Sequence, residues 1–344
     1  MAIRDNSTSI TRRRQAVMSD VARLAGVSHQ TVSRVINGSQ HVRDETRERV
    51  LLAMRQLDYR PNSVARALVT GRSRTLGVVS FDTVLHGPAS TLFGIERAAH
   101  EAGYFITIAS LRALDRASVL DAVERLRLQG VDGILVIAPQ ESAARALMQV
   151  PAGLPLVAVE AGPADAVPLA SVDQFAGAAA ATRHLLELGH ATVWHVAGPA
   201  DWLEAQQRIA GWRATLQEAG VTPPEPLVGD WSATSGYQLG HRLAERADVT
   251  AIFVANDQMA LGVLRALHEA GRAIPGDVSV VGFDDIPEAP FFMPPLTTVR
   301  QDFDEMGRRG LLLLLDTMES AQWPPPNRVV EPELVVRAST GAPR

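Results

Sequence analysis

The apolar positions change character once along the chain. Up to about residue 58 they recur at helical spacing, and from Thr75 they come as short unbroken runs separated by amphipathic stretches. In the first part, Val21, Ala22, Leu24 and Ala25 make one stripe, Val32, Val35 and Ile36 a second, and Val50, Leu51, Met54 and Leu57 a third. The pattern predicts two short helices within 18–37 and a third over 43–58, enough to close a small core. Ser19 is placed to cap the first helix and Ser28 the second, since a short side-chain oxygen accepts from the free N–H groups of a first turn. Gly26 stands where the first helix must end in a left-handed turn. The other face of the second helix carries His29, Gln30, Ser33 and Arg34, all able to hydrogen-bond outward. Helical hairpins of this kind are common, but a helix–turn–helix lays such a face in the DNA major groove.

From Thr75 the runs TLGVVSF, YFITIAS, GILVIA and PLVAVE read as buried strands, alternating with amphipathic segments around 92–102, 117–129 and 141–149. A second set follows, with strands ATVWHVAG, TAIFVAN and DVSVVGFDD and helices near 175–188, 202–219, 234–247 and 257–270. Each set predicts a parallel sheet with helices on both faces. Two such lobes in tandem leave a cleft, and ligands of doubly wound folds bind beyond the carboxyl ends of the strands. The predicted class is therefore α/β, with an N-terminal three-helix head before two doubly wound lobes.

Charge separates the same two parts. Residues 1–74 hold 14 Arg against 6 acidic residues, whereas the remainder holds 19 Arg against 32, within an overall net charge of −5. A basic head on an acidic body suits nucleic-acid binding, because phosphate neutralisation supplies much of the affinity. Residues 1–17 are polar and include Arg12, Arg13 and Arg14, a solvated tail or an added phosphate contact. The chain has no Cys, which excludes disulfides, thiolate metal sites and a Cys nucleophile. No signal-peptide core precedes the first helix and no apolar run is long enough to cross a bilayer, so a cytoplasmic, nucleoid-associated protein without a membrane partner is expected.

Enzyme signatures are missing from the sequence. DTVLHGPAS follows the first strand where a dinucleotide-binding fold would have its glycines, and no P-loop, G-x-S-x-G or H-E-x-x-H occurs. His100-Glu101 and His268-Glu269 lack a second His, and Asp284-Asp285 has no accompanying ligand cluster. No catalytic residue, metal or cofactor is expected.

The stretch 18–71 resembles the DNA-binding headpiece and hinge of the LacI/GalR-type repressor family, through DVARLAGVSHQTVSRVIN, TRERVLLAMRQLDYRPN and VARAL. GDWSATSGYQ, VANDQMALG, DVSVVGFDD and PPLTTVRQDF are similar to the effector domain of its lactose-repressor branch, a periplasmic-binding-protein-like fold. The resemblance implies a homodimeric repressor, released from operator DNA by a galactoside-like sugar held between the lobes. A corepressor or non-galactoside effector on the same fold is the alternative, and a sugar-processing enzyme a more distant one. It implies a head over 18–60, a hinge over 61–73 and an effector body over 74–340. The first lobe would take about 74–171 and 301–330, the second about 172–300 and 331–340, with crossings near Val172, Arg300 and Val330. His29, Gln30 and Arg34 would read bases, with Ser28, Thr31, Ser33 and Asn37 on the backbone. Asn62, Ala65 and Leu68 match the hinge, Leu68 as a minor-groove wedge.

Arg208, Trp231, Asn256, Asp284 and Gln301 match the family's sugar-contacting positions, and Glu160 stands where that branch has Asp. Glu160 can still accept from a hydroxyl but reaches one carbon further. Phe81 replaces a small hydroxyl residue and Val172 an aromatic on the pocket's aglycone side, and His100 replaces a carboxylate outside it. The chain carries no leucine heptad tail after ELVVRAS, which points to a dimer rather than a larger assembly.

Overall fold

The computed structural model describes residues 16–36, 41–60, 71–81, 85–111, 115–150, 153–160, 167–319 and 327–344. The chain divides after Ser73 into two units.

In the first unit, α1 (Met18–Ala25), α2 (His29–Ile36) and α3 (Asp44–Gln56) enclose Val21, Ala25, Val32, Val35, Val50 and Ala53. Gly26 ends α1 at φ 64°, ψ 38°, the left-handed turn its position demanded. Ser28 caps α2, its hydroxyl accepting from Thr31 N–H at 3.1 Å. Ser19 does not cap α1. The cap is Val17, whose N–H donates to Asp20 Oδ2 at 3.1 Å, so a first-turn carboxylate reaching back replaces the hydroxyl. Two expected core leucines are also outside: Leu24 is 50% and Leu51 41% exposed. Residues 21, 22 and 25 already define the inward arc of α1, and 50, 53, 54 and 57 that of α3, which turns both leucines about a quarter-turn away.

In the second unit the first sheet runs β11-β5-β4-β3-β1-β2, from β1 (Thr75–Phe81), β2 (Phe105–Leu111), β3 (Gly133–Ile137), β4 (Leu156–Val159), β5 (Leu169–Val172) and β11 (Arg328–Val330). Every pairing in it is parallel. Such strands are buried on both faces, which is why they read as unbroken apolar runs rather than alternating ones. Leu76 and Val78 face α4 (His86–Glu101) and α11 (Phe303–Glu319), while Val79 and Val136 face α5 (Arg116–Leu128) and α6 (Glu141–Leu147). α4 begins six residues before the stretch expected from 92. Pro88 stands in its first turn, which tolerates proline because its N–H lacks an intrahelical partner anyway.

The second sheet runs β12-β10-β9-β8-β6-β7, from β6 (Trp194–Ala197), β7 (Leu227–Val228), β8 (Ala251–Val254), β9 (Ser279–Asp284), β10 (Thr297–Arg300) and β12 (Glu333–Val335). It is parallel except for the β10–β12 edge. α7 (Gln174–Glu187) and α8 (Leu203–Glu218) cover one face, α9 (Ala233–Ala244) and α10 (Asp257–Glu269) the other. The chain passes between lobes after β5, after β10 and between β11 and β12. Among the described residues no helix is long and apolar enough to cross a membrane.

Some helix pairs meet backbone to backbone. A Cβ on Gly94 of α4 would stand 2.4 Å from the Phe303 carbonyl oxygen, and one on Gly307 of α11 would stand 2.3 Å from the Gly94 carbonyl carbon. That contact fixes two helices whose N-terminal ends meet at the cleft, where His86 and Phe303 touch edge to face at 5.6 Å.

Candidate functional sites

On the head, His29, Gln30 and Arg34 are exposed along one side of α2, and Thr31 and Ser33 are half-buried beside them. Ser28 and Thr31 also hold each other, with hydroxyl oxygens 2.9 Å apart at the helix start. Asn37, Asn62, Ala65 and Leu68 lie outside the described residues.

In the cleft, the carboxyl ends of the second lobe's strands deliver a connected polar cluster. Arg208, in the second turn of α8, is 2% exposed. Its Nε donates to Gln174 Oε1 at 2.9 Å and its Nη1 to the Ala255 carbonyl. Its Nη2 lies between Glu204 at 3.7 Å and Asp284 at 3.9 Å. The guanidinium carbon stands 3.9 Å over the Phe283 ring, a cation–π arrangement that favours the charged plane where water is excluded. Gln174 Nε2 donates to Gln301 Oε1, and Gln301 Nε2 to Asp284 Oδ1, both at 2.7 Å. Asn256 caps α10 by accepting from Met259 N–H at 3.0 Å, while its amide donates to the Trp231 carbonyl at 3.1 Å and Gln258 Oε1 at 2.9 Å. Capping and cleft-lining coexist in this one side chain. Trp231 closes the cluster against Trp202, rings 5.5 Å apart and edge to face, and its buried Nε1–H has no hydrogen-bond partner among the described residues.

Glu160 comes from the other lobe, at the end of β4. Thr91 of α4 donates to its Oε1, and its Oε2 is buried with no partner among the described residues. Burial pushes its carboxyl well above the usual range, and the charges of Glu204 and Asp284 push it further. Burial also raises Asp284, held back by Arg208, His86 and Gln301. Glu160, Trp231 and Asp284 have φ of 61°, 72° and 112°, backbone that L-residues rarely adopt and that clusters at binding sites.

The sequence-expected set therefore converges, with two qualifications. Phe81 does not join it: the residue packs on the first-lobe core facing α5 and α6, because its strand parity matches Val79 rather than Val78. Val172 lines a side recess shared with Glu160. Asp285 and Asp257, beside the cluster, are structural. Asp285 is clamped by Arg300 at 2.7 Å and Arg337 at 2.6 Å, and Asp257 accepts from Thr298 at 2.6 Å and Ile286 N–H at 2.9 Å.

Sequence reading missed Thr91, Gln174, Trp202 and Glu204. Glu204 could have been found, since it precedes Arg208 by one helical turn. Thr91 could not, because only the fold brings α4 to β4. The lobes also touch at the cleft rim, where Gln206 Nε2 donates to Glu141 Oε1 at 2.8 Å and Leu203 N–H to the Pro139 carbonyl at 2.9 Å.

A helix–turn–helix unit preceding a two-lobed body with a polar cleft defines a ligand-responsive DNA-binding regulator. The chain belongs to the LacI family of bacterial transcriptional regulators: residues 17–62 match bacterial regulatory proteins of the lacI family, and 182–340 match a periplasmic binding protein-like domain. It is 36% identical to the lactose operon repressor of Escherichia coli, over 94% of this chain and 90% of that one. Among solved structures, the lac repressor dimer bound to operator and an anti-inducer superposes with a TM-score of 0.85 at 34% identity, covering 96% of this chain and all of that one. The transcriptional regulator CelR in complex with cellobiose gives 0.70, also at 34% identity, covering 94% and 99%. These relatives are regulators, not enzymes.

Proposed function

We propose that this protein is a homodimeric transcriptional repressor that binds a pseudo-palindromic operator and leaves it when a galactoside-like sugar occupies the cleft. The observation that carries the reading is the buried guanidinium of Arg208, set among Asp284, Asn256, Gln301 and the Trp231 ring. Sugars ask for that mixture: charged and amide groups for ring hydroxyls and an aromatic face for the C–H side. The relatives support it, one solved on operator DNA and another with cellobiose.

His29, Gln30 and Arg34 read base edges, Gln pairing two-pronged with adenine and Arg with guanine. Ser28, Thr31, Ser33 and Asn37 hold phosphates and set register. One α2 enters each half-site, so a symmetric operator requires two copies. Residues 18–60 act as the head, 61–73 as the hinge and 74–340 as the sensing body, with 1–17 a basic tail. On the operator, Asn62, Ala65 and Leu68 order in the minor groove, Leu68 as the wedge. Sugar draws the lobes together on Arg208, Glu160 and Asp284. The paired first lobes shift, the hinges lose their partner, and DNA is released. A short isolated helix is marginal in water, so a coupling of about 1–3 kcal/mol is enough. The site of action is the nucleoid, in the cytoplasm.

The test titrates the operator complex with galactosides and cellobiose while following Trp fluorescence and DNA retention together. Saturable quenching with operator release supports the reading. Arg208→Ala should keep operator binding and abolish the sugar response. Equal loss of both would make Arg208 a folding residue and remove the basis of the proposal.

A further inference from the structure

Beside the Arg208 cluster lies a recess of about 280 Å³, bounded by Glu160, Val172, Asp173, Gln174 and Glu204 with Asn327 across from them. Among the described residues three carboxylates line it, and no Arg, Lys or His does. Their hydrogen bonding is unequal. Asp173 is occupied as the cap of α7, accepting from Ala176 N–H at 2.8 Å. Glu160 is 4% exposed and one of its oxygens accepts nothing. Glu204, in the first turn of α8, has its nearest cation 3.7 Å away, beyond hydrogen-bonding distance.

The nearby guanidinium does not answer this demand. Arg208 directs Nε to Gln174 and Nη1 to the Ala255 carbonyl, both neutral groups, and divides Nη2 between Glu204 and Asp284. Glu160, Glu204 and Asp284 thus share the Arg208 guanidinium, whose short hydrogen bonds go elsewhere. Buried carboxylates without donors are costly, and they persist where a partner arrives to satisfy them. A neutral sugar can take its hydrogen bonds from Arg208, Asp284, Asn256 and Gln301; the recess adds further carboxyl acceptors and, among the described residues, no cation of its own to match them.

We propose, building on the effector reading above, that the physiological effector is an amino sugar whose ammonium group sits between Glu160 and Glu204. An ammonium supplies three N–H donors and one positive charge. Glu160 Oε2 accepts from no described donor, and the Glu204 carboxylate is the other acceptor of the recess wall. The ring hydroxyls remain with Arg208, Asn256 and Asp284, so one molecule spans both parts of the cleft. Burial and the charges of Glu204 and Asp284 hold Glu160 well above the ordinary carboxylate range, burial and Asp284 bring Glu204 up to about 7, and both would fall as the cation docks.

The experiment measures affinity by calorimetry at pH 7.5 for glucose, galactose and their 2-amino-2-deoxy and 6-amino-6-deoxy forms, which exchange one hydroxyl for an ammonium of similar size. At least one amino form should bind tenfold or more tightly than its parent, and both Glu204→Gln and Glu160→Gln should reduce that preference at least fivefold. Melting curves of each variant establish that it is folded, and the wild-type comparison stands without them. Parents binding as tightly as every amino form would overturn the inference; if those parents still release operator, the repressor reading survives. An amino form that binds preferentially yet leaves operator bound supports the inference and overturns the release mechanism. Silence from all six compounds overturns it as well.

Discussion

Two glycines of α11, three residues apart, should respond oppositely to the same methyl group. At Gly307 an added Cβ falls 2.3 Å from the Gly94 carbonyl carbon and 2.4 Å from Ile95 N. Those are backbone atoms of a neighbouring helix and cannot rotate aside, so α4 and α11 must separate by about 1 Å to restore carbon contact distance. Overpacking of this kind costs about 1–3 kcal/mol, and a rigid backbone neighbour places Gly307→Ala toward the upper end. Exchanging Gly for Ala within a helix returns about 1 kcal/mol. The net loss is then about 2 kcal/mol, or roughly 3–4 °C in melting temperature for a unit of this size. At Gly310 the nearest atoms are Leu135 Cδ2 and Val159 Cγ2, both at 3.4 Å, which is ordinary contact. Gly310→Ala keeps the helix gain and buries a methyl worth about 0.8 kcal/mol, so the melting temperature should rise by a few degrees. Differential scanning calorimetry on the two variants decides the matter. The same lever reaches the cleft, because α4 carries Thr91 and Gln301 lies two residues before α11; Gly307→Ala should weaken binding of the proposed sugar effector several-fold where Gly310→Ala does not. Equal melting shifts of one sign, or a stabilised Gly307→Ala, would show that the helices are not locked by backbone contact.

Other outcomes follow from the same geometry. Arg34→Ala should lose about 1–3 kcal/mol of operator affinity in a competition assay while barely changing binding to random DNA; uniform weakening would reassign Arg34 to phosphate. His195 is fully buried, stacked 4.6 Å from Phe253, with burial pulling its pKa down to about 4 against the ordinary 6.5. The folded state resists its protonation, so stability is full above pH 6.5 and falls by about 3 kcal/mol as pH drops to 4; in His195→Phe that share of the acid slope in urea titrations should vanish. Asp285→Ala leaves Arg337 and Arg300 without their shared carboxylate; Arg300 is half exposed, so a loss of about 1–3 kcal/mol in chemical unfolding is expected, below that of a fully buried pair.

How much could be read in advance depended on range. Gly26, Ser28 and the unbroken runs such as GILVIA report their own local physics, and the head and the alternating elements followed from them. Leu24 and Leu51 went wrong because a short helix carries too few apolar residues to define its buried arc to better than one position. The cleft was legible where a strand end places its own residue, as with Glu160, Asn256 and Asp284. It was illegible where another element supplies the partner: Thr91 reaches Glu160 across 69 positions, and nothing near either residue signals the other. Phe81 was legible in parity alone: two residues after Val79 on the same strand, it faces α5 and α6 with it rather than the cleft.

The interleaving of β11 and β12 has a consequence for biosynthesis. The first sheet lacks its edge until Arg328–Val330 has been translated, and the second lacks its own until Glu333–Val335 follows, with Ser339 Oγ then donating to the Val280 carbonyl at 2.6 Å. The two sheets therefore gain their last strands within a few residues of each other, whereas the N-terminal unit has its whole core in sequence well before them. During elongation the nascent polypeptide has a reader before it has a sensor.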